Sequence, residues 1–189
     1  MTDIFMIHDG DLCVRAMGPE DAPIVQRCRN LPDVSRYQGW RPTTPEEVVE
    51  LAHEQVGRQP GMQTEPFQLV IEFEDADGQK HVVGDMGSGA FDPGRQMEIG
   101  IVLDSKWQGR GFATRACKML FHHMFEAGLN RVVAKVDPRN DASLKLFERL
   151  KFRHEGLELA CWYDDVWNEW TDEVCFGILA SEWRELHPS

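Results

Sequence analysis

The chain of 189 residues has no run approaching about 18 consecutive apolar residues, so no segment reads as a membrane-spanning helix. Its start, MTDIFMIHDGDL, carries three Asp and no Lys or Arg. A secretory signal opens on basic residues before an apolar stretch, and a transit peptide avoids acids, so a cytoplasmic protein is expected. No CxxC pair occurs. The five Cys (13, 28, 117, 161, 175) are odd in number and widely spaced, and they read as reduced, mostly buried thiols. Positive charge is scarce: 20 Lys and Arg face 32 Asp and Glu, a net charge of −12. That balance argues against nucleic-acid binding, which needs a basic footprint. His122 and His123 are helix neighbours that point in different directions, and His53-Glu54 lacks the second His of a zinc helix, so no metal is expected.

What the chain does hold is unevenly spread. Residues 1–103 carry 8 basic and 18 acidic residues, a sum of −10; residues 104–153 carry 11 and 5, a sum of +6; residues 154–189 carry 1 and 9, a sum of −8. A basic island between acidic flanks suits a small anionic cofactor on the island and a cationic substrate drawn to the flanks. Hydrophobic residues make up 42% of the chain, enough for a packed core, and at about 150 residues per domain the length predicts one domain over 1–189.

Local patterns predict a mixed α/β order. A strand is expected at 12–17, a helix start at 18–23, and a second helix near Thr44, with Glu47 three positions on as in a capping box. FQLVIEFE (67–74) alternates as a half-buried strand does, and the turn DADGQ leads it into a hairpin partner at 81–89. EIGIVL (98–103) and RVVAKV (131–136) read as strands. Ala113, Ala116, Cys117, Leu120 and Met124 recur at helical spacing, with Gly128 past the end. ASLKLFERL (142–150) reads as a helix, and strands are expected near 156–163 and 170–179. Gly- and Pro-rich loops fall at 57–66 and 87–95.

DSKWQGRGFATRA (104–116) follows a strand and opens a helix. Gly109 and Gly111 let the backbone approach a ligand with no Cβ in the way. The first N–H groups of a helix lack internal partners and sit at its positive end, so such a loop can hold phosphate. The loop is neither a Walker A sequence nor a dinucleotide fingerprint, because position 114 is Thr and no Lys-Ser or Lys-Thr follows.

Gln108-x-x-Gly111-x-Ala113 resembles the Q/R-x-x-G-x-G/A signature of the Gcn5-related N-acetyltransferases (GNAT). DPRNDASLKLFERLKF (137–152) is similar to that family's N-x-x-A/S…L-x-x-G-F segment. Glu98-Ile99-Gly100 before the loop and VCFGILASEW (174–183) extend the likeness over about residues 12–183. It is best to the branch of ribosomal-protein alanine and serine N-acetyltransferases (RimJ/RimL type). The resemblance implies an α+β GNAT fold: a mixed, mostly antiparallel, twisted sheet of six to seven strands, about four helices and a splayed central strand pair. It implies acetyl-coenzyme A as donor, with its diphosphate on the N–H groups of Gly109, Arg110, Gly111, Phe112, Ala113 and Thr114. Gln108 and Arg115 would supplement them, and Lys145 or Arg139 would reach the outer phosphate. Pantetheine would pair with free backbone groups of Ile101, Val102 and Leu103, and Asn140, Ser143 and Phe147 would close over it.

Within that resemblance Glu98 is the first candidate for the base that deprotonates the attacking amine, with Asp164, Asp165, Asp172 and Glu173 as rivals. Many members carry a Tyr acid where this chain has Phe147; Ser143 is the candidate donor to the sulfur, its alternative role being local capping beside Asn140 and Asp141. Lys151 stands where the family has Gly, at a cost of about 1 kcal/mol. Trp40, Tyr163, Asp165 and Trp167 are the expected acceptor-binding residues, on the argument that acids beside aromatic faces suit a cation. The expected acceptor is a small-molecule or peptide amine (a protein N-terminus, a polyamine or an aminoglycoside). The fold is compatible with a homodimer, and the rival reading is an inactive coenzyme A-binding regulatory or interaction domain.

Overall fold

The computed structural model describes residues 4–55 and 58–187. Residues 1–3 of the acidic start and Gly57 of the expected loop lie outside the described residues.

Eight strands form one sheet in the order β1-β2-β3-β4-β5-β6-β8-β7. They are β1 (Met6–Asp9), β2 (Leu12–Ala16), β3 (Phe67–Glu74), β4 (Lys80–Asp92), β5 (Gln96–Leu103), β6 (Arg131–Val136), β7 (Arg153–Asp164) and β8 (Glu169–Leu179). The helices are α1 (Ala22–Arg29), α2 (Pro32–Ser35), α3 (Pro45–Glu54), α4 (Phe112–Glu126), α5 (Asp141–Arg149) and α6 (Ala180–Leu186). The expected six to seven strands become eight because β1 also pairs with β2. The expected four helices become six through the single turn α2 and through α6, which follows directly on the last strand.

Each face of the sheet buries a different helix layer. On one side Ala116, Cys117, Leu120, Phe121 and Met124 of α4 and Leu146, Phe147 and Leu150 of α5 pack on Leu69, Met86, Met97, Ile99, Val132, Ala134 and Phe176. On the other, α1 and α3 cover Val70 with Ala22, Val25, Val48 and Ala52. Thr44 caps α3 by accepting from the Glu47 N–H (3.4 Å), while the Glu47 carboxylate reaches Thr43 N–H and Oγ1 (both 2.7 Å), so the box closes on Thr43. Lys151 adopts φ +66° after α5, the left-handed conformation expected where glycine is usual.

One sheet junction matters for function. β5 and β6 are parallel and pair only from Gln96↔Arg131 to Glu98↔Val133, while β6 stays paired with β8 as far as Val136↔Val174. Beyond Glu98 the two strands diverge and open a slot.

Candidate active site

The slot leads to the 108–114 loop. Asp104 ends β5 by accepting from the Lys106 N–H (3.2 Å) and is gripped by Arg27 of α1 at 2.7 Å. Burial works against this carboxylate, but Arg27 and Lys106 hold it below its usual range. Gly109 (φ +74°) and Gly111 (φ +83°) are both left-handed, which turns the chain into α4 without a side-chain cap. The chain bonds on either side of the turn are Gln108 N–H to Ser105 O (3.3 Å) and Arg115 N–H to Gly111 O (3.1 Å). Between them, the N–H groups of Gly109, Arg110, Gly111, Phe112, Ala113 and Thr114 have no acceptor among the described residues. A run of unmet donors at the positive end of a helix is a site for anionic oxygen.

The side chains around the loop divide. Arg110 stacks over Trp107 at 4.7 Å and is free of ion pairs among the described residues. Gln108 Nε2 donates to Leu103 O (3.1 Å), so that carbonyl is not open to the slot as expected; the side chain folds back to close the turn. Arg115, expected beside the phosphate, instead donates to Asp9 O and Asp11 Oδ1 (both 2.7 Å), because the β1–β2 turn lies within its reach. Arg139 pairs with Asp137 (2.6 Å) and Glu169 (3.0 Å), and Lys145 with Asp141 (3.4 Å). Ile101 and Leu103 pack against the α4 core, while Val102 faces Cys28 and Val34. Phe112 is buried against Phe73, so only its N–H is available to a ligand.

On the far side of the slot Asn140 Oδ1 caps α5 by accepting from the Ser143 N–H (3.2 Å). The capping work thus belongs to Asn140, which leaves the half-buried Ser143 hydroxyl without a partner among the described residues. Phe147 is 2% exposed and packs on Phe152 and Phe176, so it is a core residue with no proton to give.

Glu98 sits where the slot begins. It is the last residue of β5 paired with β6, opposite Val133. Although much of its surface is open, desolvation in its concave setting raises its carboxyl; Lys135 opposes the shift, and Glu173 and Glu158 add to it. Of its rivals, Asp164 is buried against Arg41 (2.7 Å) and accepts from the N–H groups of Val166 and Trp167. Asp172 accepts from the Ala160 N–H (2.8 Å), and Glu173 lies 3.5 Å from Lys135. Asp165 is exposed.

Two of the three aromatic residues expected to receive a cation already carry one. Arg29 lies over Trp40 at 4.6 Å and Arg36 over Trp167 at 4.5 Å. Arg36 also binds Glu169 (2.7 Å), so the segment around residues 36–41 docks on the β7–β8 turn and brings Trp40 and Trp167 to neighbouring elements. Tyr163 donates to Asn168 (2.7 Å) and packs on Trp170. The sequence reading missed the cavity beside Glu98, of about 320 Å³, lined among others by Thr64, Gln68, Gly87, Gly89 and Gly100. Its signal was the alternation Gly87-x-Gly89, which leaves one strand face bare.

All five cysteines are free thiols, with Cys13, Cys28 and Cys117 buried, Cys175 half-buried and Cys161 exposed. Burial pushes the Cys28 thiol up to about 12, which leaves no nucleophilic thiolate there. Among the described residues, Glu158, Cys161 and Glu173 place ligand-type atoms within 4.8 Å of one another, and the Lys135 ammonium bonds both carboxylates. No helix among the described residues is long and apolar enough to cross a membrane.

Comparison with known proteins gives a consistent picture. The family model for the acetyltransferase (GNAT) domain matches residues 11–153. The chain is 29% identical over 178 residues to the uncharacterized N-acetyltransferase p20 of Bacillus licheniformis, covering 91% of this chain and 94% of that one. Among solved structures it is similar to a ribosomal-protein-S5-alanine acetyltransferase from Vibrio fischeri (TM-score 0.71, 24% identity, 95% and 98% of the two chains). It is also similar to a spermidine N-acetyltransferase from Vibrio cholerae solved with CoA and spermine (TM-score 0.76, 20% identity, 93% and 99%).

Proposed function

The chain belongs to the acetyltransferase (GNAT) domain family, and we propose that this acyltransferase moves an acetyl group from acetyl-coenzyme A directly to a primary amine. The observation that carries the reading is the run of unmet N–H groups from Gly109 to Thr114 at the mouth of the slot between β5 and β6. The donor set fits the cofactor's parts: main-chain amides and Arg110 for the diphosphate, strand edges for the pantetheine amides. Acetyl-coenzyme A supplies the thioester that is the acyl donor.

Each residue's part follows from its place. The loop amides anchor the phosphates, and Asn140 orients the first turn of α5. Glu98, at the point of divergence and with a raised carboxyl, takes the proton of the acceptor ammonium. Ser143, with its hydroxyl uncommitted, donates to the departing sulfur in place of the Tyr that Phe147 replaces. A single-amine acceptor suits the site better than a polyamine, because Asp164 and Glu169 are committed to Arg41, Arg36 and Arg139.

Calorimetry with coenzyme A, followed by thiol release from acetyl-coenzyme A with L-alaninamide and spermidine as acceptors, tests the reading. Saturable binding and amine-dependent release are expected. No heat on adding coenzyme A would overturn it, and binding without turnover on any amine would favour the inactive-domain alternative, for which the missing Tyr speaks.

A further inference from the structure

The sheet face opposite α4 carries three rows of residues across β3, β4 and β5. The first row, Val70–Asp85–Val102, is roofed by α1 and α3, with Arg29 of α1 ion-paired to Asp85. The second is Gln68–Gly87–Gly100. The third runs from Gly89 through Glu98 to Val133. Rows two and three contribute no side chain at Gly87, Gly89 or Gly100. The cavity floor is therefore bare backbone between two polar walls, Gln68 and Glu98.

The glycines differ in what they provide. A Cβ at Gly89 or Gly100 would meet nothing within 4 Å, so these two leave open room. A Cβ at Gly87 would come within 2.9 Å of Gln68 Nε2, so the Gln68 carboxamide lies across that glycine, over the floor. Gln68 is 6% exposed, and its Oε1 is buried with no hydrogen-bond partner among the described residues. Its own main chain is fixed, since its N–H donates to Gln55 Oε1 at 3.2 Å. A buried carbonyl left unmet is costly to a fold. The carboxamide that carries it lines the cavity with Nε2 nearer the floor, and a half-turn about its Cγ–Cδ bond puts Oε1 there instead, where a ligand can meet it.

Resting on the acyl-transfer reading, we propose that Gln68 is the acceptor-positioning residue, its Oε1 accepting an N–H of the incoming amine on the glycine floor. An ammonium group has three N–H bonds. One faces Glu98 and its proton ends on that carboxylate, a second donates to Gln68, and fixing both sets the direction of the lone pair released. The N–C bond then forms as the thioester C–S bond breaks; the nitrogen gives up a second proton, which ends on the departing sulfur as the free thiol, and the amide keeps the N–H that faces Gln68.

The test uses L-alaninamide and spermidine as acceptor probes. Gln68→Leu should raise the KM of the acceptor that turns over by about tenfold, with the KM of acetyl-coenzyme A nearly unchanged. Gly100→Ala and Gly89→Ala, which place a methyl in the open trough without left-handed strain, should raise it likewise and keep the test valid if Gln68→Leu does not fold. In the coenzyme A-saturated wild type, the side-chain amide resonance of Gln68 should shift on adding the acceptor. If coenzyme A binds and turnover proceeds, but the acceptor KM survives these substitutions and the amide resonance stays put, the inference falls alone. If the wild type does not bind coenzyme A at all, the acyl-transfer reading falls and the inference with it.

Discussion

A raised carboxyl at Glu98 has consequences in two measurements. Desolvation disfavours its charged form in the folded protein, and the nearby Glu173 and Glu158 add to the effect. In the proposed role of base it would work only when ionised, so the acidic limb of kcat/KM should lie above the ordinary glutamate range. Glu173→Gln should move that limb to lower pH, Lys135→Met to higher pH, and Glu98→Gln should abolish it with a loss of about 100-fold or more in rate. The linkage runs the other way for stability. Between the unfolded and folded values the native state holds more protons, so stability falls as pH rises through that window. Glu98→Gln should therefore be slightly more stable than the wild type to urea at neutral pH. A variant that is slower yet sturdier marks a residue kept for chemistry.

At the scale of elements, the two arginines of the anion loop make opposite forecasts. Arg115 spends its guanidinium on the β1–β2 turn, through Asp9 and Asp11. Arg115→Ala should cost about 0.5–1 kcal/mol of stability and leave coenzyme A affinity nearly unchanged in calorimetry. Arg110, stacked on Trp107 beside the unmet amides, should behave in reverse: Arg110→Ala should weaken coenzyme A binding several-fold, more so at low salt, with little change in melting. Elements with a local signature were legible in the sequence. Alternation in 67–74 and the apolar run 131–136 matched β3 and β6 to the residue, and Gly109 with Gly111 marked the loop. β1 was not legible, because Met6–Asp9 is largely exposed and shows no apolar alternation. α2 spans one turn and leaves no period to detect. The Gln68 wall escaped as well, because it exists only through the register of three strands. Trp40 and Trp167 looked free for a substrate cation because the arginines that cover them are set by tertiary contacts; Arg36 is 131 residues from Trp167 in the chain (167 − 36).

Across the whole molecule, arginines of residues 27–41 tie the helical layer to distant carboxylates. Arg27 holds Asp104, Arg29 holds Asp85, Arg36 holds Glu169 and Arg41 holds Asp164. Burial opposes charge at Asp164, yet Arg41 and the N–H groups of Trp167 and Val166 bring its carboxyl below the usual range. Arg139 and Arg36 do the same for Glu169. A carboxyl depressed on folding contributes stability that is complete above its unfolded value, near pH 4, and is lost as pH falls through the folded value. The wild type should thus hold a constant urea midpoint near neutrality and lose stability steeply below about pH 4. Removing Arg41 strands a buried carboxylate, at a cost of about 3 kcal/mol at neutral pH. Protonation then relieves the stranded charge, so the double variant Arg36→Ala/Arg41→Ala should lose far less on acidification than the wild type. An equal acid slope in the two proteins would mean that these ties do not hold the α1–α3 layer to the β7–β8 turn. Because the same segment carries Trp40 on the sheet face proposed to receive the acceptor, the double variant should also raise the acceptor KM while sparing that of acetyl-coenzyme A, whose proposed loop opens α4.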